Sequence, residues 1–267
     1  VPTRRTFLAA VPAAAATLVL TSCGAAGATS APPATGTPAA TSPPPAAPGA
    51  QQSPIALDTA TAQPAPDLPE LVLDYPGDVE VRVRYVSRDP EDPTGCTTRG
   101  REETVEAEVP PGTAAVLLGD VRYELVQFHF HTASEHTLDG RRFPVEQHFV
   151  HRGPAGETLV IGLFLTDDGP GGTLQDTVLG ELPDECGEEE TVGGLDLAGA
   201  LPADLSTLRY PGSLTTRPNT EGVSWLVLRT PAAVAASTVQ GFRELFPEGD
   251  SRDLQPLGDR VVRLREQ

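Results

Sequence analysis

QFHFHTASEHT, residues 127–137, holds three of the chain's five histidines and a glutamate, in a stretch otherwise rich in valine, leucine and phenylalanine. Its alternation decides the fold. From Tyr123 to His131 the residues read as a strand: Gln127, His129 and His131 point to one side, Val126, Phe128 and Phe130 to the other. The phenylalanine side has a core to fill, and the imidazole side does not.

Two histidines at i and i+2 on one strand lie about 6–7 Å apart at the backbone, close enough for both rings to reach one metal ion. A third comes from FPVEQHFVH (143–151), where Glu146, His148 and Val150 share a face. As an antiparallel partner, this strand brings His148 opposite the first pair. Three neutral nitrogens plus a water make an open site of catalytic type, whereas a structural zinc site is closed by a fourth protein ligand. Glu146 is placed to accept the other N–H of His148, and Gln127 that of His129. A lone histidine on a strand is more often a hydrogen-bonded structural residue. The paired spacing and the third histidine in one β-rich window favour the metal.

Working outward, short runs with period-two alternation or β-branched content cover 79–86, 105–109, 114–118, 123–131, 143–151, 159–165, 223–229 and 261–264, separated by Gly, Pro and Asp. One helix is expected over 231–246, with Thr230 as N-cap, Pro231 at the first position, and Val234, Phe242 and Leu245 on one face. The fold class is therefore predominantly β with a few peripheral helices.

Three segments divide the chain. Residues 1–22 read as an export signal: a twin-arginine start, Arg4-Arg5, precedes an apolar run over 9–20 that is too short to span a bilayer. Leu20-Thr21-Ser22-Cys23 resembles a bacterial lipobox, in which Cys23 carries a lipid and tethers the chain; a chance cysteine in a cleaved leader is the plain alternative. Residues 23–50, almost wholly Ala, Pro, Thr, Ser and Gly, read as a disordered tether. Residues 51–267 are long enough for one substantial core, without internal repeats.

The net charge is -18 and every basic residue is arginine, which argues against nucleic acid as a partner. With Cys23 lipidated, Cys96 and Cys186 remain as an even pair in an oxidising compartment, where a disulfide is the default and two buried thiols the alternative.

QFHFHTASEHT, then FPVEQHFVH, then YPGSLTTRPNTEGVSW (210–225), flanked by QSPI (52–55) and QPL (255–257), together resemble the α-class carbonic anhydrases over the whole folded part. That resemblance implies a large central, mostly antiparallel twisted sheet and zinc-dependent reversible hydration of carbon dioxide to bicarbonate by a zinc-bound hydroxide. It places His129, His131 and His148 on the zinc ligands, and Gln127 and Glu146 on the residues that orient two of them. Thr215 falls on the threonine that orients the metal-bound oxygen and donates to a buried carboxylate, here Glu135. Val150, Val160, Leu214, Thr216 and Trp225 fall on the substrate pocket, and His136 and His151 on structural positions.

The chain also departs from the family. Glu103 occupies the position of the proton-shuttle histidine, and a carboxylate near pKa 4.3 matches a proton at neutral pH less well than an imidazole near 6.5. The aromatic segment ahead of QSPI is replaced by tether. Arg217 and Asn219 stand where bacterial relatives usually carry proline and a disulfide-bonded cysteine. Signal, lipobox and tether, taken with the resemblance, lead to the expectation of an exported enzyme, lipid-anchored at the outer face of the bacterial cytoplasmic membrane and touching the membrane through its anchor only. The alternatives are a catalytically weak or inactive zinc-binding lipoprotein of the same fold, a zinc-buffering lipoprotein, and a weak esterase.

Overall fold

The computed structural model describes residues 49, 51–87, 103–184 and 188–267. Residues 45–267 cluster as one compact unit. Cys23, Cys96 and Cys186 lie outside the described residues, as does the segment expected to be signal and most of the tether.

Four strands open the unit: β1 (Ala56–Leu57), β2 (Gln63–Pro64), β3 (Leu71–Asp74) and the longer β4 (Val79–Ser87). Then come β5 (Glu103–Glu108), β6 (Ala115–Leu118), β7 (Val121–His131), β8 (Thr137–Leu138), β9 (Val145–Arg152) and β10 (Thr158–Thr166). After α1 (Leu174–Gly180) follow β11 (Glu189–Leu195), a 3-10 turn over Ala198–Ala200, β12 (Thr207–Ser213) and β13 (Glu221–Leu228). The short β14 (Ala232–Ala233), α2 (Ala236–Leu245) and β15 (Arg263–Arg265) close the chain.

Thirteen strands form one sheet in the order β11-β4-β5-β7-β9-β10-β13-β12-β15-β2, with β3 and β6 joined through β7 and β14 on β10. β1 and β8 pair separately. Within the large sheet β10 runs parallel to β13 and β14, and β15 parallel to β2; the other pairings are antiparallel. The expected fold class holds.

Period-two alternation divides the core between the two faces of this sheet. On one face Phe128 and Phe130 of β7, Val145 and Phe149 of β9, Leu159, Ile161, Leu163 and Leu165 of β10, and Leu226 and Leu228 of β13 join the valines of β4. Both helices pack there too, through Leu174, Val178, Val239 and Phe242. The other face carries Val150, Val160, Phe164, Leu208, Tyr210, Val223, Trp225 and Val227. It is the face on which His129 and His131 of β7 and His148 of β9 also lie.

Two local expectations change. The alternation in β7 holds from Gln127 onward, but a bulge between Leu125 and Gln127 shifts the register against β9. Val126 is left 39% exposed instead of joining Phe128 and Phe130. The helix is shorter than its pattern: Ala232 and Ala233 add a parallel strand to the end of β10, and Val234 N–H donates to Thr166 O. Thr230 is not a cap, its hydroxyl donating instead to Asp204. Ala235 occupies the N-cap and has no side chain for the task. Asp176 of α1 fastens that end of α2 to α1, accepting from Ala235 N–H and Thr238 Oγ1. α1 is an addition to the expected elements, and a capping box of Thr173 and Asp176 marks its start.

Candidate metal centre

β7 and β9 are direct neighbours, and their register sets His129 across from His148. His131, two residues along β7, lies on the same side. The three rings have centroids 4.8–5.1 Å apart, and all three are buried. One nitrogen from each lies within 4.8 Å of the others.

The neighbours of these rings settle which nitrogens carry protons. Gln127 Oε1 accepts from His129 Nδ1 at 2.9 Å, and Glu146 Oε1 accepts from His148 Nε2 at 2.9 Å. Both acceptors are oxygens, so the opposite nitrogens, His129 Nε2 and His148 Nδ1, are left as lone pairs in the neutral rings. These two face each other at 3.2 Å. Two lone pairs at that separation repel unless a cation lies between or beside them, and with His131 they present an all-nitrogen set of the kind zinc accepts. The residues fit a metal ion.

Behind His148 the support is deeper than the sequence suggested. Glu146 also accepts from the backbone N–H of His136 at 2.8 Å and from His136 Nδ1 at 2.7 Å. Burial pushes its carboxyl upward, but His136 and His148 outweigh that and hold it well below the usual range. His136 Nε2 meets Tyr210 Oη at 2.6 Å, and Tyr210 is hydrogen-bonded to Ser53 Oγ at 2.9 Å. Ser53 in turn donates its backbone N–H to Ser213 Oγ. A buried polar chain thus runs from His148 through Glu146, His136 and Tyr210 to residues 53 and 213. Gly162, paired with His148 on β10, leaves the room that Glu146 occupies: an added Cβ would come within 3.1 Å of its carboxylate.

His131 lies between two carboxylates, Nε2 at 3.5 Å from Glu135 Oε2 and Nδ1 at 3.6 Å from Asp250 Oδ2. Glu135 is fully buried, and its Oε1 accepts from Arg252 N–H at 2.8 Å. Its other oxygen is also 3.9 Å from His148 Nδ1. Asp250 had no marker in the sequence; it belongs to a loop that tertiary contacts bring over β7, where it accepts from Thr132 N–H. Ser53 and Tyr210 stand inside the quoted QSPI and YPGSLTT motifs, yet nothing local assigns them a role.

The apolar positions gather around Trp225. Its ring centroid lies 4.8 Å from that of His148 and 4.8 Å from that of His136, and it stacks on Tyr210. Val150 and Val160 share its cluster, with Leu214 packed against it. Thr215, buried, and Thr216, half-buried, lie on the loop between β12 and β13. Glu103 begins β5, opposite Ser87, and its side chain lies outside the described residues. His151, on the far side of β9, meets Tyr75 Oη at 2.7 Å, away from the three histidines.

Fold and cluster together define a class: a large twisted β-sheet that brings together three histidines able to hold a metal ion, beside a cluster of apolar residues. A profile described as eukaryotic-type carbonic anhydrase matches residues 39–266, most of the chain. The chain belongs to that family, the α-class carbonic anhydrases.

Among its relatives, a carbonic anhydrase of Nostoc sp. is 35% identical over 172 residues, covering 64% of this chain and 64% of the relative. One from Pectobacterium carotovorum is 34% identical over 160 residues, covering 60% and 65%. The chain thus spans just under two thirds of the length of these curated relatives. Among solved structures, an α-carbonic anhydrase of Thermovibrio ammonificans in complex with sulfanilamide superposes with TM-score 0.68 at 32% identity, over 80% of this chain and 87% of that one. Carbonic anhydrase Cah3 of Chlamydomonas reinhardtii in complex with acetazolamide gives TM-score 0.70 at 28% identity, over 81% and 91%.

Proposed function

We propose that this protein catalyses the reversible hydration of carbon dioxide to bicarbonate and a proton, with zinc held by His129, His131 and His148. One observation carries the reading. Two lone pairs face each other at 3.2 Å on adjacent strands, their rings held from behind by Gln127 and Glu146, with a third imidazole alongside. Zinc in such a nitrogen set is a Lewis acid that brings the pKa of a coordinated water to roughly 7.

The chain's own residues do the rest. Gln127 and Glu146 hold two rings in the tautomer that leaves a nitrogen free for the ion. Glu135, fixed by Arg252 N–H, would take the hydrogen bond of the Thr215 hydroxyl, which would then orient the oxygen that attacks carbon dioxide. Val150, Val160, Leu214 and Trp225 form the apolar wall, with Thr216 beside them, where a substrate without net dipole rests and water is excluded. Glu103 receives the outgoing proton, and its low ordinary pKa makes that transfer the slow step in weak buffer.

The same proposal places the protein outside the cytoplasm, anchored by a lipid on Cys23 to the outer face of the membrane, with Cys96 and Cys186 bridged. The order of signal, lipobox and tether supports the first, and the even cysteine pair the second. Membrane extraction of a Cys23→Ser variant, and mass spectrometry of a non-reduced digest, test them.

Stopped-flow hydration with a pH indicator, in weak and strong buffer, with and without chelator, tests the reaction. Activity that the chelator abolishes and strong buffer enhances is expected. One bound zinc with no hydration in any buffer would leave a binding protein of this fold.

A further inference from the structure

The loop between β12 and β13, residues 214–220, carries Thr215 and Thr216, and its backbone is organised around a single side chain. The Asn219 amide nitrogen donates toward three carbonyls, those of Leu214 at 3.3 Å, Thr215 at 3.0 Å and Thr216 at 3.1 Å. Its own backbone N–H donates to Thr216 O at 2.9 Å, and Leu214 N–H to Thr220 O at 2.9 Å closes the neck. An amide has two hydrogens, so one is shared between two carbonyls, and the three peptide planes are drawn toward one point. The residue that does this sits at φ +59, a left-handed conformation that asparagine tolerates better than most.

The loop is also fastened from outside. Gln52 Nε2 donates to Asn219 O at 3.2 Å and to Glu221 Oε1 at 3.0 Å, while Gln51 N–H donates to that same carboxylate oxygen at 2.9 Å. Ser213 Oγ, at the base of the loop, donates to Leu214 O at 2.8 Å. A connection of this length would otherwise leave its carbonyls to water and sample several shapes. Here its carbonyls turn inward, and the direction in which Thr215 and Thr216 leave the backbone follows from that turn.

We propose that Asn219 is a positioning residue: its side-chain amide clamps the carbonyls of residues 214–216 and so sets the placement of Thr215 and Thr216 beside the histidine centre. The role in the reaction rests on the hydration reading above; the clamp itself does not. A plain alternative is that asparagine only fills a left-handed position, in which case glycine would serve equally well.

Two variants of the full-length protein separate these. Asn219→Gly keeps the backbone conformation and removes the amide. Asn219→Asp keeps size and shape but turns the donor into an acceptor facing three carbonyls. Hydrogen exchange at the Leu214 amide, measured with and without zinc, is expected to quicken about tenfold or more in both variants, as a loss of shared hydrogen bonds would require. kcat/KM for hydration is expected to fall about tenfold by the same loss, at unchanged zinc content. Emission of Trp225, the chain's single tryptophan, whose indole N–H donates to Ser213 O, is expected to stay as in the wild type and certifies the fold.

Wild-type exchange and wild-type kcat/KM in Asn219→Gly would overturn the clamp. Faster exchange with kcat/KM unchanged would overturn the positioning role. A wild-type protein that hydrates no carbon dioxide would remove the hydration reading and the positioning role with it, and exchange at Leu214 would still decide whether the clamp exists.

Discussion

At the scale of single residues, the three clustered histidines depend on what lies behind them. Gln127 and Glu146 assign tautomers by being acceptors where a donor would spoil the site. Glu146→Gln exchanges an oxygen for an N–H that faces either His148 or His136. Zinc affinity is therefore expected to fall about 10- to 100-fold, measured by competition with a chromophoric chelator. Gln127→Ala, which removes one neutral acceptor at the more open edge of the site, is expected at the lower end of that range. Both roles could be read from spacing, because residues two apart on a strand share a face whatever the rest of the fold does. Asp250 and Arg252 could not: they reach His131 and Glu135 from more than a hundred residues along the chain.

At the scale of elements, close approach between strands and the N-terminal segment decides what fits. Gly212, near the end of β12, lies where an added Cβ would overlap Ser53 Oγ and come within 2.8 Å of the Trp225 ring and 2.9 Å of the Tyr210 ring. Gly212→Ala must therefore push apart the hydrogen-bonded chain of Ser53, Tyr210 and His136. A loss of roughly 1–3 kcal/mol is expected, seen as a Tm lower by roughly 2–10 °C in calorimetry, with Trp225 emission displaced. The glycine itself stands in a quoted motif, but its reason is a neighbour from position 53. The helix expected from Pro231 likewise yields its first turn to β14 because the end of β10 offers unpaired backbone groups, and parallel pairing there satisfies them. Period and capping chemistry mark where a helix can form; a vacant sheet edge nearby changes where it does.

At the scale of the molecule, burial within the sheet's core gives the fold a response to pH. On the helix-covered face His151 is buried against Tyr75, and burial pushes its pKa down to about 4. Above about pH 6.5 it is neutral in folded and unfolded chains alike and contributes no pH dependence. Between about 6.5 and 4 the unfolded chain binds a proton that the folded one refuses, so stability is lost as the pH is lowered through that window, by roughly 3 kcal/mol at its acid end. Urea midpoints at pH 7 and pH 4.5 are expected to differ less in His151→Gln than in the wild type; an equal difference would remove His151 as the cause.

What the sequence determined by itself was the β class, the phenylalanine and histidine sides of the central strand from Gln127 onward, and the three candidate ligands with two of their hydrogen-bond acceptors. Each follows from residues two apart, a period the backbone imposes locally. Tertiary structure alone decided the His129 and His148 register, the chain from Glu146 through His136 and Tyr210 to Ser53, and the carboxylates around His131. These join segments far apart in sequence. Their geometry comes from strand pairing and core packing across the whole sheet, which no local pattern encodes.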